Sequence, residues 1–155
     1  MGNAPGRVIA ENRRAWHEYH ILEKHEAGIK LTGTEIKSIR AGKVTLVDSY
    51  CRIEKGELWA HHMHIAPYEF GNRYNVDPLR PRKLLLHRRE IEELYAQIKR
   101  ESLTVIPLKL YFSGNYLKCE VGLAKGKQLH DKREDLHKKE AKREIERALK
   151  EKANR

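Results

Sequence analysis

Six side chains around a short apolar stretch in the middle of the chain could bind phosphate. No acidic residue interrupts the sequence from Leu79 to Arg89. Clustered cationic groups of this kind contact the phosphates of nucleic acids. A solvated charged rim would have the same composition, so both interpretations stay open. The members of the cluster are Arg80, Arg82, Lys83, His87, Arg88 and Arg89.

A second group of cations lies in the C-terminal tail, residues 125–155. The tail has 12 Lys/Arg against 7 Asp/Glu and no aromatic residue. It has too little apolar surface to offset its ordering entropy alone, so we expect it to fold only on binding a polyanion, RNA or DNA. Ala141, Ile145 and Leu149 recur at helical spacing, which predicts a weakly amphipathic helix. A disordered solubilising tail is the alternative.

Three histidines at positions 61, 62 and 64 are the one metal-like cluster. His62 and His64 would share a face of a strand, as a zinc site requires. No cysteine or carboxylate within the segment completes a tetrahedral set, so we favour surface histidines and expect no metal and no cofactor. The sequence contains no nucleophile elbow, P-loop, dinucleotide fingerprint or H-E-x-x-H motif. We therefore expect a protein that is not an enzyme, with a metal-dependent hydrolase as the remaining enzymatic alternative.

The composition limits the class of protein. The 155 residues carry a formal net charge of +10, which suits a polyanionic partner. No apolar run is long enough to span a bilayer, and the N-terminus lacks a secretory signal. Cys51 and Cys119 are far apart and in no C-x-x-C pattern, so we expect reduced thiols in a cytoplasmic protein.

The elements that must position these groups are mostly short strands. Apolar alternation and turn residues predict six or seven strands, and two helices are predicted beside them. A capping box at Thr32–Glu35 begins the first helix, which ends at Gly42. The second helix is Arg88–Arg100. The first predicted strand starts at His17 and is followed by a turn at Ala27–Gly28 and a short strand at Ile29–Leu31. The later predicted strands are Val44–Val47, Ser49–Glu54, Glu57–Ile65, Lys83–Leu86, Thr104–Phe112 and Tyr116–Ala124.

Strands of this number and length close best as a small antiparallel barrel. The predicted fold class is therefore mostly β with flanking helices: a small antiparallel barrel plus the basic tail. Pro107 within its strand indicates an edge or a bulge. The predicted organisation is a flexible N-terminus at 1–11, an RNA-binding barrel domain at 12–124 and the tail at 125–155.

Several blocks, in order, resemble the small protein B family, the SsrA-binding proteins of bacteria. The resemblance extends from about Glu11 into the tail. Its blocks are Asn12–Ala15, Glu26–Ile29, Gly33–Lys43, Asp77-Pro78, Arg82–Leu86, Gly126-Lys127 and His130–Arg133.

The resemblance implies a tmRNA-binding factor in trans-translation. Such a protein delivers transfer-messenger RNA (SsrA RNA) to stalled ribosomes. The fold that the resemblance implies is an OB-like barrel of about six strands with flanking helices. The barrel binds the tRNA-like domain, and the tail enters the small-subunit decoding centre and the empty mRNA channel. No membrane is involved.

The resemblance also implies particular site residues. The RNA-binding positions are Glu26, Leu85, His87 and Lys118, and the basic cluster adds Arg82 and Lys83. The decoding-centre contacts are Gly126, Lys127, His130, Asp131, Lys132 and Arg133, and His17 is a weaker candidate for the same role. Relatives often have Lys where this chain has Gln128. A general structured-RNA-binding or ribosome-associated protein is the alternative function, because the same charge and fold would serve it.

Overall fold

A computed structural model describes residues 6–71, 75–127 and 129–153, and for 129–131 it describes the backbone alone. The chain forms two compact units, the first ending at Lys125 and the second beginning at Gly126. The first unit is mostly β with flanking helices, as predicted. Its strands are β1 (Val8–Glu11), β2 (Tyr19–Ile29), β3 (Val44–Thr45), β4 (Tyr50–Glu54), β5 (Glu57–His61), β6 (His64–Ile65), β7 (Arg82–Leu85), β8 (Thr104–Ser113) and β9 (Tyr116–Gly126), and its helices are α1 (Arg13–Glu18), α2 (Gly33–Arg40) and α3 (Arg88–Glu101).

Seven of these strands form one sheet in the order β1-β8-β4-β5-β7-β2-β9. Because β8 pairs with β9 as well, six of the strands pair in a circuit and β1 lies outside it. The circuit is uneven. The antiparallel β8–β9 ladder runs from Thr104↔Ala124 to Ser113↔Tyr116, whereas β4 and β8 share the single register pair Cys51↔Val105. Strands β3 and β6 form a separate two-stranded sheet.

The inward side chains of the sheet form the main core. Leu58, Leu84, Leu110 and Val121 are almost completely buried there. Cys51 and Cys119 are free thiols in the same cluster. Burial, with a smaller contribution from Glu120, raises the pKa of the Cys119 thiol to about 12, so it stays protonated at neutral pH.

The helices begin where their caps predict. The Thr32 hydroxyl accepts from the Glu35 N–H at 3.3 Å, and the Glu35 carboxylate accepts from the Thr32 N–H at 3.0 Å. This reciprocal box confirms the predicted start of α2. Gly42 follows α2 at φ +76°, a left-handed conformation that glycine adopts without a Cβ clash. In α3, Ile91 and Leu94 are buried, as its apolar stripe predicts.

The N-terminal third differs from the prediction. Residues 8–11, expected to be flexible, form β1 against β8. His17, the predicted start of a strand, lies in α1, where Asn12 is the N-cap. The predicted turn at Ala27–Gly28 is instead the middle of β2, and the strand that we expected at Ile29–Leu31 is the end of β2. Ala27 is fully buried and Gly28 pairs with Leu85, so the small residues allow close packing and do not turn the chain.

Two further strands differ in detail. The predicted strand Glu57–Ile65 is interrupted at His62, which has φ +59° and ends the pairing of β5 before β6 begins. His62 and His64 therefore do not lie on one strand face. The strand predicted at Val44–Val47 is only two residues long. The bulge suggested by Pro107 is confirmed, because the β8–β9 register shifts between Pro107 and Lys109.

The second unit is dominated by one helix, α4 (Leu129–Ala153). Ile145 and Leu149, two residues of its predicted apolar stripe, are each 62% exposed. The helix predicted in the tail is therefore present. The expectation that it forms only on binding stays a prediction.

Candidate nucleic-acid interface

Gly28 and Leu85 form the centre of an outward-facing surface. They are opposite each other in the β2–β7 ladder. A Cβ at position 28 would lie 3.3 Å from the Leu85 Cβ, so glycine leaves room for the leucine side chain. Leu85 is 50% exposed, whereas its neighbour Leu84 is 1% exposed. The sheet thus presents an apolar contact to solvent beside a strand that carries Glu26.

Glu26 lies two residues before Gly28 and accepts a hydrogen bond from the Tyr111 hydroxyl through its Oε2. Burial and the adjacent Glu26 carboxylate raise the pKa of Tyr111, so the phenol remains a neutral donor. The exposed carboxylate of Glu26 has further acceptor capacity for base or ribose donors. The tyrosine thereby orients the carboxylate that the family resemblance places on the RNA-binding face of the sheet.

Lys118 completes this surface from the neighbouring strand. It is opposite Tyr111 in the β8–β9 ladder, and its Nζ lies 6.0 Å from the Tyr116 ring centroid. Tyr116 is 73% exposed. A groove of about 320 Å³ has Gly28, Leu85, Tyr116 and Lys118 among its lining residues. An apolar floor, an aromatic ring and an ammonium group therefore face one concave surface, which we call the Leu85 groove.

His87 lies beside this groove at the N-terminus of α3. It is the N-cap residue, and its backbone N–H donates to Glu90 Oε1 at 3.4 Å. His87 follows Leu85 by two residues, and its side chain is exposed. The free N–H groups of a helix start attract anions, so this position suits a phosphate as well as a base.

The structure divides the basic cluster. Lys83 is outward, with its Nζ 2.8 Å from Glu57 Oε1. Arg82 points inward and is completely buried. Its Nε donates to Glu35 Oε2 at 2.7 Å, and its Nη1 donates to the Met63 carbonyl. The prediction that Arg82 contacts RNA is therefore wrong: the alternation of β7 turns its guanidinium into the protein, where a carboxylate neutralises it.

Glu35 is the partner that makes this burial possible. Burial alone would raise its pKa, but hydrogen bonds from Arg80, the Thr32 N–H and Arg82 hold the pKa below its ordinary value. For Arg82, burial lowers the pKa and the Glu35 carboxylate opposes that shift. Sequence reasoning identified Glu35 only as a helix cap, and no sequence signal distinguishes an arginine that faces inward from its exposed neighbours.

The proposed tail contacts all lie in the second unit, which begins at Gly126. Gly126 is the last residue of β9, and Lys127 forms an ion pair with Asp135. Lys132 and Arg133 are on the first turns of α4, with Arg133 exposed. For His130 and Asp131 only the backbone is described, and Gln128 is outside the described residues. His17, in α1 of the first unit, is partly buried.

The histidine cluster considered as a metal site at positions 61, 62 and 64 has other contacts in the structure. Among the described side chains there is no group of three His, Cys, Asp or Glu residues placed to hold a metal ion. His61 lies 3.2 Å from Glu54 and stacks on Tyr50. Within the described ranges, each helix is too short or too polar to cross a bilayer.

Comparison with known proteins gives the family. The family model described as "SmpB protein" matches residues 9–151. The chain belongs to the SmpB protein family. An SsrA-binding protein of Carboxydothermus hydrogenoformans is 63% identical over 143 residues, covering 92% of this chain and 96% of that protein. The SsrA-binding protein of Geobacillus thermodenitrificans is 58% identical over 151 residues, covering 97% of each.

A solved structure agrees with the SmpB assignment. It is described as "tmRNA-SmpB: a journey to the center of the bacterial ribosome", with 53% sequence identity and a TM-score of 0.65. The match covers 81% of this chain and 87% of that one.

Sequence reasoning about this SmpB-family chain missed the roles of two tyrosines: Tyr116 lines the Leu85 groove, and Tyr111 donates to Glu26. Tyr116 was assigned to a strand without a surface role, although its position directly after the turn Ser113-Gly114-Asn115 is a signal for an exposed ring. Tyr111 is predicted only as part of a strand, and its hydrogen bond to Glu26 joins two residues that are 85 positions apart in sequence. No local pattern indicates that contact.

Proposed function

We propose that this chain binds transfer-messenger RNA and delivers it to stalled ribosomes for trans-translation. The observation that carries the proposal is the Leu85 groove in an SmpB-family chain: Glu26, Leu85 and Lys118 are on one face. The names of the relatives and the description of the solved structure support the same RNA and the same ribosomal setting.

The first unit would hold the tRNA-like domain. Leu85 packs against a sugar or base surface, Lys118 contacts a phosphate, Glu26 accepts from base or ribose hydrogens, and His87 contacts the RNA beside α3. Lys83 extends the basic edge. Such contacts read RNA through its backbone and shape and make or break no covalent bond, so the protein acts by positioning and is not an enzyme. The uneven six-strand circuit of the sheet serves as an OB-like barrel.

The second unit would act on the ribosome. We assign Gly126, Lys127, His130, Asp131, Lys132 and Arg133 to the decoding centre, with His17 as a further contact from the first unit. The helix α4 occupies the empty mRNA channel, where its cations neutralise phosphates, and it becomes fully ordered on binding there. Lys127 has to exchange Asp135 for an RNA phosphate. This work takes place in the cytoplasm, and the functional division falls at residues 124–125.

A gel-shift titration at two salt concentrations tests the proposed RNA. The probes are the tRNA-like domain of tmRNA, an elongator tRNA and an unrelated RNA duplex of equal length. We expect tighter binding to the tRNA-like domain at both salt concentrations, because shape contacts add to charge. Equal affinities with the same steep salt dependence would instead support a general structured-RNA-binding protein.

A further inference from the structure

A row of four side chains, a tryptophan with cations on both sides, lies on the outer face of the sheet that also carries Leu85. In the register, Arg52 of β4 is opposite Trp59 of β5, and Trp59 is opposite Lys83 of β7. The Lys30 backbone N–H donates to the Lys83 carbonyl at 2.9 Å, so Lys30 is next in line at the end of β2. Directly opposite residues of an antiparallel pair share a face. We call these four residues the tryptophan row.

The tryptophan row is continuous with the Leu85 groove. Lys83 lies two residues before Leu85 on one strand, and Lys30 lies two residues after Gly28. Residues two apart on a strand share a face. At about 4.8 Å per strand, the row spans roughly 14 Å from Arg52 to Lys30. An RNA seated on Leu85 therefore has this second surface immediately beside it.

The row also has a concave side suited to a flat ring. A groove of about 300 Å³ is lined by Lys30, Leu31, Thr32, Trp59, Arg80 and Lys83. Its walls combine an indole and aliphatic carbon with three cations. The buried Nε of Arg80 has no hydrogen-bond partner among the described residues. A buried unpaired donor is costly, and an acceptor on a ligand would relieve that cost.

We infer that Trp59 stacks an unpaired nucleotide of the bound RNA, while Lys30 and Arg52 contact the flanking phosphates. Aromatic rings among cations are the usual means of holding single-stranded bases, and RNA proteins stack unpaired loop or bulge bases on aromatic side chains. Lys83 is paired with Glu57, which leaves Lys30 and Arg52, both exposed, as the main phosphate contacts. The inference rests on the proposed function, because it places the nucleotide in the same RNA.

Fluorescence of a single-tryptophan chain tests the stacking. The full-length Trp16→Phe variant keeps Trp59 as its only tryptophan, since the sequence has two. Titration with the tRNA-like domain should quench its emission. In parallel, Trp59→Leu should lower RNA affinity about 5- to 150-fold, the range measured for removing one base–aromatic stack, and Trp59→Phe should lower it less. Tyr95→Leu, an exposed ring on α3, is the matched control and should bind like the wild type.

Two results would overturn the inference. One is unchanged affinity in Trp59→Leu. The other is an affinity loss without any change of Trp59 emission in the Trp16→Phe chain, which would indicate a structural role for Trp59. Failure of the proposed function itself looks different, because the wild-type chain would then show no preference for the tRNA-like domain.

Discussion

Leu84 and Leu85 are adjacent residues with opposite environments, and this difference allows a sharp test at the scale of single side chains. Leu85→Ala removes a half-exposed side chain, so it should change the free energy of unfolding by less than about 1 kcal/mol. It should weaken RNA binding by about 1 kcal/mol or more, because we propose that the leucine packs against RNA. Chemical denaturation and gel-shift titration of the same preparation measure both quantities.

Leu84→Ala is the matched control for that substitution. Its side chain is 1% exposed, so its truncation should cost about 2–5 kcal/mol of stability. If Leu85→Ala unfolded as easily as Leu84→Ala, Leu85 would be a core residue and not an RNA contact.

Lys118→Ala tests the charge in the Leu85 groove. Loss of one phosphate contact should weaken binding and reduce the slope of log K against log salt by about 0.9. Lys99→Ala, an exposed lysine on α3, removes the same charge away from the groove and should leave the slope unchanged. An equal decrease in both variants would show that only net charge matters.

At the residue scale, the resemblance to a family predicted more than composition did. It gave Glu26, Leu85 and Lys118, which the fold brings to one face. Composition gave a continuous basic cluster and thereby included Arg82, which is buried. Side-chain direction depends on strand alternation and on a distant partner, here Glu35, which is 47 residues away. That information is absent from the local sequence.

At the scale of elements, the Glu35–Arg82 pair connects α2 to β7. Removing one member of a buried ion pair leaves an uncompensated charge, so Glu35→Gln should lower the free energy of unfolding by about 3–5 kcal/mol. Glu90→Gln replaces another N3 glutamate, the partly buried one at the start of α3 whose Oε2 lies 3.2 Å from His25 Nδ1, and should cost less than about 1 kcal/mol. Urea denaturation at pH 7 measures the difference, and equal losses would contradict a special role for the pair.

The same pair predicts a pH dependence. The folded-state pKa of Glu35 lies below its ordinary value of 4.5, so its stabilising contribution is complete above about pH 4.5 and is lost as the pH falls through the folded-state pKa. As the pH falls below about 4.5, the wild type should therefore lose stability, and Glu35→Gln should lose less over the same pH range. Denaturation curves from pH 7 to pH 3 test this, and parallel curves for the two proteins would contradict it.

Elements with local start signals were predicted well. The capping box gave the start of α2, and the apolar stripe gave α3 within one residue. Strand β2 was divided because Ala-Gly is a turn signal when read locally, whereas here Gly28 accommodates Leu85 from another strand. Pairing between distant strands decides such cases, and it is not encoded in neighbouring residues.

At the scale of the whole molecule, strand count predicted the class of fold but not the path of the sheet. The circuit depends on β8, which pairs with β1, β4 and β9. The local sequence indicates neither the single register pair between β4 and β8 nor the pairing of β1 with β8. The division into two compact units, in contrast, follows the change in composition near residue 125, since a segment with few apolar residues and many charges cannot extend a core.

The most direct test of the account is a chain truncated after Gly126, which keeps β9 complete. RNA affinity and peptide tagging on stalled ribosomes should be measured side by side with the full-length chain and with a Leu85→Ala chain. We predict that truncation leaves affinity for the tRNA-like domain nearly unchanged and abolishes tagging. Leu85→Ala, in contrast, should lower affinity for the tRNA-like domain. A truncated chain that loses RNA affinity but still supports tagging would contradict the central claim that the sheet holds the RNA and the tail acts on the ribosome.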